Sequence, residues 1–232
     1  MDKMTTYAKF IYEKSDEDLI HELEEALNKN AKSIINFFDS SLTKKIVEIR
    51  IIPTKEEYDK IVQKRKGTTK TPAWEIGNSY GSVIEYVSLH DYKNTSHAFE
   101  PERYEQAIDD YKKTIVHEYV HYIVDLYHKI HHTDFPLRYL NEGIAQYLSG
   151  QRIHLKQFAN YSLEDILNSN DCYAGWFLLT KYILEKYGKN YFLELLENNQ
   201  KAFSETPRLH AEAKDYYDNV NISYNSDMAK KI

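Results

Sequence analysis

The five residues from His117 to His121 read His-Glu-Tyr-Val-His, and they constrain this chain more than any other stretch. The apolar spacing around them predicts a helix. On a helix, histidines four residues apart lie on one face, about 6 Å apart along the axis, and can bind the same small cation. Glu118 would lie beside that cation, where a carboxylate can take a proton from a metal-bound water. The spacing therefore predicts a hydrolytic zinc site, with a chance match in a chain rich in histidine and glutamate as the alternative.

Composition limits the remaining functions. The chain has 232 residues, 42% of them apolar, and a formal net charge of −6. This acidic balance gives no broad attraction for nucleic acid or anionic lipid, so we expect neither as a partner. No stretch reaches the roughly 18 apolar residues of a membrane span, and the first residues have no apolar run of signal-peptide length. Cys172 is the single cysteine, which rules out an internal disulfide, and we expect a soluble cytoplasmic protein.

The order of the predicted elements indicates an α+β fold. Ser15 as an N-cap and helical apolar spacing predict a helix over residues 15–39. Alternating residues predict a strand over 46–52 and a hairpin over 74–89, and a polar loop follows over 90–100. Helices are then predicted over residues 101–131, 137–149, 163–168, 172–187, 189–200 and 204–218, and a short helix follows Pro53.

We interpret residues 1–232 as one domain. A helical N-terminal segment (1–44) precedes a lobe with a small mixed or antiparallel sheet (45–100). A helical lobe that carries the zinc site follows (101–220). This order, a small sheet followed only by helices, is typical of α+β proteins.

A third protein ligand is expected, because catalytic zinc usually keeps three and leaves one position open for water. Glu142 lies among apolar neighbours in the next predicted helix, where a buried carboxylate needs a partner. The residues between His121 and Glu142 leave room for a loop and an antiparallel helix. We therefore predict that His117, His121 and Glu142 bind one zinc ion per chain.

Other candidate ligands fit this site less well. Asp125 is on the same face as the two motif histidines, but it is about 12 Å along the axis from His117. We interpret His128, His131 and His132 as solvated residues at the end of the helix.

At this point the chain resembles the gluzincin metallopeptidases, in which His-Glu-x-x-His is joined by a downstream glutamate. Leu140-Asn141-Glu142-Gly143-Ile144-Ala145 is similar to a Leu-Asn-Glu-Gly-Phe-Ala run of the gluzincin aminopeptidases, and more similar still to compact bacterial peptidases of that clan. The resemblance implies a thermolysin-like zinc lobe. It also implies that Tyr173, at the start of an apolar helix, donates to the oxyanion. The hairpin over 74–89 falls where the family keeps an edge strand that binds extended substrate.

Two departures narrow what the resemblance implies. The Gly-Ala-Met-Glu-Asn run that reads a free amino terminus is missing, so aminopeptidase action is not predicted. Gln146 stands where thermolysin-like relatives have an aspartate that orients a ligand histidine, so the groups that support the ligands must differ.

Together these observations predict zinc-dependent hydrolysis of a peptide bond, with Glu118 as general base, Tyr173 as oxyanion donor and a peptide or protein as substrate. His154 and His210 are alternative oxyanion donors, and Cys172 is interpreted as a small buried residue. Two other functions stay open. One is a non-catalytic, zinc-stabilised binding or sensor module, although a structural site needs no base. The other is hydrolysis of a non-protein amide.

Overall fold

The computed structural model describes residues 1–69, 71–95, 104–151, 158–170 and 172–219. Contacts between residues divide the chain into two compact units, Met1–Tyr127 and His128–Ile232. The first unit holds a small mixed sheet and the second is helical, so the α+β fold class is confirmed. No helix in the described ranges combines the length and the apolar character that a membrane crossing requires.

The sheet of the first unit contains both parallel and antiparallel pairs. Its strands lie in the order β1-β2-β3-β5-β4. Strands β2, β3 and β5 run parallel to one another, while β1 pairs antiparallel with β2 and β4 antiparallel with β5. The bounds of the strands are Asp2–Met4 (β1), Ala8–Ile11 (β2), Val47–Ile52 (β3), Gly77–Tyr80 (β4) and Val83–Val87 (β5). The predicted strand and hairpin are confirmed as β3 and the β4–β5 pair, whose turn contains Gly81 at a φ of 60°.

Strands β1 and β2 precede the first helix, within the segment that the sequence pattern describes only as helical. They have three and four residues, too few for a recognisable alternation. Strand β2 is held by its parallel pairing with β3, in which Phe10 lies opposite Ile49. Such a pairing depends on residues far along the chain, and local sequence does not report it.

Helices cover both faces of the sheet. Cross-strand partners share a face, so Ile51 and Tyr86 point to the same side. The hydroxyl of Tyr86 donates to the backbone carbonyl of Tyr111, which belongs to the long helix α4. On the opposite face, Glu85 contacts Arg65 of helix α2. The isoleucines and valine of β3 are buried, whereas Glu48 is half-buried and Arg50 exposed, so β3 is apolar mainly on one face.

The helices of the first unit begin and end with recognisable signals. Thr54 caps α2 by accepting from the backbone N–H of Glu57, and Gly67 ends it at a φ of 65°. Helix α3 lies where the sequence pattern predicts a loop over 90–100, so that prediction is wrong for residues up to Thr95. The bounds are Glu17–Phe38 (α1), Lys55–Lys66 (α2), Leu89–Thr95 (α3) and Tyr104–His131 (α4), the last of which crosses the boundary between the units.

The second unit contains four helices among its described residues, Arg138–Ser149 (α5), Leu163–Asn168 (α6), Tyr173–Glu197 (α7) and Asn199–Asn219 (α8). Gly150 ends α5, and Ser162 caps α6 with a capping box. Gly188, with φ 81° and ψ 173°, breaks the helical geometry of α7, so the predicted stop is a kink. Helix α8 runs through the predicted gap at residues 201–203 and contains Pro207.

Helices α5 and α7 approach each other closely at Gly143. A β-carbon built at this position would lie 2.1 Å from Thr180 Oγ1 and 2.7 Å from the backbone oxygen of Trp176. Backbone oxygen and helix axis cannot shift cheaply in a close-packed interior. Glycine at this position is therefore required by packing, and it places the preceding residue, Glu142, at the helix crossing.

We expect Gly143→Ala to destabilise the protein. The added methyl overpacks the crossing at a cost of about 1–3 kcal/mol, which exceeds the gain in helix propensity of up to ~1 kcal/mol. Chemical denaturation followed by circular dichroism measures the change. Adding Thr180→Ala should restore only part of the lost stability, because the Trp176 carbonyl still blocks the site. A Gly143→Ala protein as stable as the parent would contradict the close approach.

Candidate metal centre

The two motif histidines converge on one point. The Nε2 atoms of His117 and His121 are 2.9 Å apart, and the ring centroids are 4.6 Å apart with the planes at 83°. This is the geometry that the spacing of one helical turn predicts. Helix α4 is rich in apolar residues here, and between Ile115 and Val124 every residue except His121 is buried. His121 is half-buried, so solvent reaches the pair on the His121 side.

Glu142 of α5 completes the cluster. A carboxylate oxygen of Glu142 and one ring nitrogen of each histidine all lie within 4.8 Å of one another. His117 is buried, and His121 and Glu142 are half-buried. The chain thus has a His117–His121–Glu142 cluster that could hold a metal ion, made of the three residues predicted as ligands.

The donor set fits a small divalent cation. Two imidazole nitrogens bound at 2.0–2.1 Å in a tetrahedral site are about 3.3 Å apart, and the observed 2.9 Å is close to this value. Two neutral nitrogens and one carboxylate oxygen are also the donor types of open catalytic sites, which leave a fourth position for solvent. His117 and His121 would each offer Nε2 and Glu142 one carboxylate oxygen.

Glu118 is buried next to this pair, against the edge of the sheet. A β-carbon at Gly77 of strand β4 would lie 2.8 Å from Glu118 Cγ and 3.0 Å from the ring of Tyr86. Any side chain at position 77 would therefore displace the Glu118 side chain. Gly77 was not identified from the sequence, because Glu118 is 41 residues further along the chain and becomes a neighbour only through folding.

The tyrosines near Glu118 stay protonated. Burial raises the pKa of Tyr86 well above its ordinary value, and the charges of Tyr111 and Glu118 raise it further. Burial also raises the pKa of Tyr58, followed by the charges of Glu75 and Glu118. Both tyrosines are thus neutral at physiological pH, and neither supplies a charge that competes with Glu118.

Tyr173 is the first residue of α7 and is half-buried. Its ring packs edge-on against Trp176, with centroids 5.1 Å apart. The indole of Trp176 is itself anchored, since its Nε1 donates to the carbonyl of Ile166 at 2.9 Å. Tyr173 lies at the start of a helix, as the resemblance to the gluzincin aminopeptidases implies. Its role as oxyanion donor stays a prediction.

The other histidines have local partners. His210 Nε2 lies 2.8 Å from the carbonyl oxygen of Tyr161, and its ring packs on Phe158 at 5.3 Å, which favours a structural role. His154 lies outside the described residues. The prediction that His128 is solvated is wrong, because it is buried with its Nδ1 2.6 Å from Thr133 Oγ1. His131 and His132 are exposed, as predicted.

Two further residues singled out from the sequence are buried. Cys172 is a buried cysteine outside any disulfide, before the first turn of α7, and its burial is as predicted. Gln146 is buried one turn after Glu142 on α5. The amide replaces a charge that would be costly at a buried position. Asp125 is half-buried and does not belong to the ligand cluster.

Comparison of the chain with models of protein families, with curated proteins and with solved structures gives no match.

We expect the purified protein to bind a divalent metal through this cluster. Loss of a supporting residue alone typically costs 10–100-fold in metal affinity, so His117→Ala, His121→Ala or Glu142→Ala should each cost at least about 100-fold. Elemental analysis and competition with a chelating dye measure occupancy and affinity. His21→Ala, which removes an exposed histidine on α1, is the matched control and should keep the metal. Full occupancy in Glu142→Ala would remove Glu142 from the ligand set.

Proposed function

We propose that this protein is a zinc metallopeptidase of the gluzincin type. The observation that carries the proposal is the convergence of His117, His121 and Glu142 to within 4.8 Å. Glu118, which follows the first ligand, is the residue that such a site needs for hydrolysis and that a structural site does not need.

The residues of the chain would divide the reaction between them. Bound zinc would supply a Lewis acid that polarises the scissile carbonyl and acidifies water. Glu118 takes a proton from the attacking water, holds it on a carboxylate oxygen and passes it to the leaving amine. Burial against Gly77 and Tyr86 restricts the rotamers of Glu118, which keeps its carboxylate oriented. Tyr173 donates a hydrogen bond to the oxyanion.

The sheet edge supports a peptide as substrate. Strand β4 has one neighbour, β5, in the order of the described strands, so its other edge carries unpaired backbone groups. Gly77 places that edge beside Glu118. An extended peptide that pairs with β4 would therefore lie next to Glu118, the proposed general base. The single cysteine is consistent with a cytoplasmic location of the protein, which stays a prediction.

The direct test uses a mixture of internally quenched peptides with randomised sequences. Zinc-loaded protein should cleave at least one of them, and chelation followed by zinc addition should remove and restore the activity. Mass spectrometry of the products identifies the bond. Zinc binding without cleavage of any peptide would favour the non-catalytic module, and cleavage of a non-peptide amide alone would favour the amidohydrolase.

We expect Glu118→Gln to keep the metal and lose turnover. The amide can still hydrogen-bond water but cannot accept its proton, so kcat should fall at least ~10²–10⁴-fold. The rate is measured on the peptide that the parent protein cleaves, with zinc content determined on the same sample. Glu22→Gln on α1, whose carboxylate is half exposed, is the control and should change neither value. Unchanged peptidase activity in Glu118→Gln would exclude the proposed mechanism.

Tyr173→Phe separates a role in the reaction from a role in packing. The phenyl ring keeps the contact with Trp176, while the oxyanion loses one donor. We expect a loss of roughly 2.7–4 kcal/mol in transition-state stabilisation, mainly in kcat, with unchanged zinc content and melting temperature. Tyr216→Phe removes an exposed hydroxyl on α8 and should have no effect. Full turnover with a lower melting temperature would make Tyr173 a packing residue.

A further inference from the structure

Helix α2 holds the segment that leads into the edge strand. Its side chains make four kinds of contact with residues 71–80, all within the first unit. Tyr58 donates to Glu75 at 3.2 Å, Lys66 forms an ion pair with the same carboxylate at 2.9 Å, and Gln63 donates to Thr71 at 3.1 Å. These three contacts hold the segment that precedes β4. The fourth contact is made by Arg65, which binds residues of the strand itself.

Arg65 bridges the two strands of the hairpin. Its Nη1 donates to Glu85 of β5 and its Nη2 to Asn78 of β4. Asn78 and Glu85 are direct partners in the β4–β5 register. The guanidinium also lies 4.8 Å from the ring centroid of Tyr80, the last residue of β4. The Arg65 guanidinium thus links β4 and β5 at one pair of directly opposed residues.

The other side of β4 faces the proposed base. Successive strand residues point to opposite faces, so Asn78 and Tyr80 face α2 while Gly77 and Ser79 face away from it. On that second face, a β-carbon at Gly77 would lie 2.8 Å from Glu118 Cγ, so the Glu118 side chain occupies the space beside this glycine. Strand β4 therefore has the Arg65 guanidinium on one face and the Glu118 side chain next to the other.

We propose that Arg65 is a positioning residue for substrate. Through Asn78 and Glu85 it fixes strand β4, and it thereby sets how well an extended peptide pairs with the free edge beside Glu118. This inference rests on the proposed peptidase function. Arg65 contacts Asn78 and Tyr80 on the face of β4 opposite to Glu118, so it acts on binding of the peptide more than on the chemical step.

The guanidinium is suited to this role because it is flat and has donors on two nitrogens. Lysine would keep the charge beside the nearly buried Glu85 but would offer a single point donor. Arg65→Lys should therefore keep much of the fold and lose the bridge to Asn78. Arg65→Met removes both the positive charge and the hydrogen bonds to Asn78 and Glu85.

The first measurement does not depend on activity. Hydrogen exchange of the amides in Gly77–Tyr80 should be roughly tenfold faster in Arg65→Met than in the parent, because the strand loses charge-assisted bonds. Lys64→Met is the matched control, since it removes an exposed positive charge from the adjacent position of α2. Equal exchange in the two variants would overturn the proposal.

The second measurement is steady-state kinetics on an internally quenched peptide that the parent cleaves. We expect Arg65→Met to lower kcat/KM by roughly ten- to a hundredfold, mostly through KM, with zinc content unchanged. Arg65→Lys should lie between Arg65→Met and the parent. Asn78→Ala should raise KM as well, and the double variant should be no worse than Arg65→Met, because both changes break one bridge. An unchanged KM, or a loss confined to kcat, would overturn the substrate role.

A second variant tests the proposal if Arg65→Met fails to fold. Arg65→Met leaves Glu85 without its cation, so Arg65→Met combined with Glu85→Gln removes the uncompensated charge and gives the same two tests in a folded protein. Failure of the peptidase proposal has a different signature. In that case the parent protein cleaves no peptide, while hydrogen exchange in Gly77–Tyr80 is still faster in Arg65→Met than in the parent. This result would support the restraint of β4 by Arg65 and exclude its role in substrate binding.

Discussion

The site depends on a single geometric constraint, the one-turn separation of two imidazoles on a helix that is buried around them. The helix holds the Nε2 atoms of His117 and His121 2.9 Å apart, without help from flexible loops. A metal ion there would not have to pull its ligands together, which is the main entropic cost of building a site. Because only His121 is half-exposed in this part of α4, the same burial directs access to the site from one side.

Two glycines let other elements come close to the site. Gly143 removes a side chain where α5 crosses α7, and this sets the position of the Glu142 backbone. Gly77 does the same for β4 against Glu118. At both glycines a β-carbon would lie less than 3 Å from a neighbouring atom. Larger residues at these two positions are therefore poorly tolerated.

The arrangement around β4 connects the fold with the proposed function. The strand lies at an edge of the sheet, where backbone groups are open to pairing, and such edges are aggregation hazards unless they are protected. Here Arg65, Glu85 and Asn78 restrain the strand, and the Tyr80 ring packs under the guanidinium. A strand that is restrained in this way, and that is the last one in the order of the described strands, is suited to binding an extended chain in one register.

Local signals in the sequence determined much of this protein. The His-Glu-x-x-His spacing predicted the ligand pair, and periodicity predicted α1, α4 and α5, because these features depend on residues within one or two turns. Tertiary structure alone decided the rest. Strands β1 and β2 are too short to recognise without their partner β3, and the burial of His128 has no local signal. The contact of Gly77 with Glu118 and the bridge from Arg65 to two strands join residues far apart in the chain, so only the folded backbone brings them together.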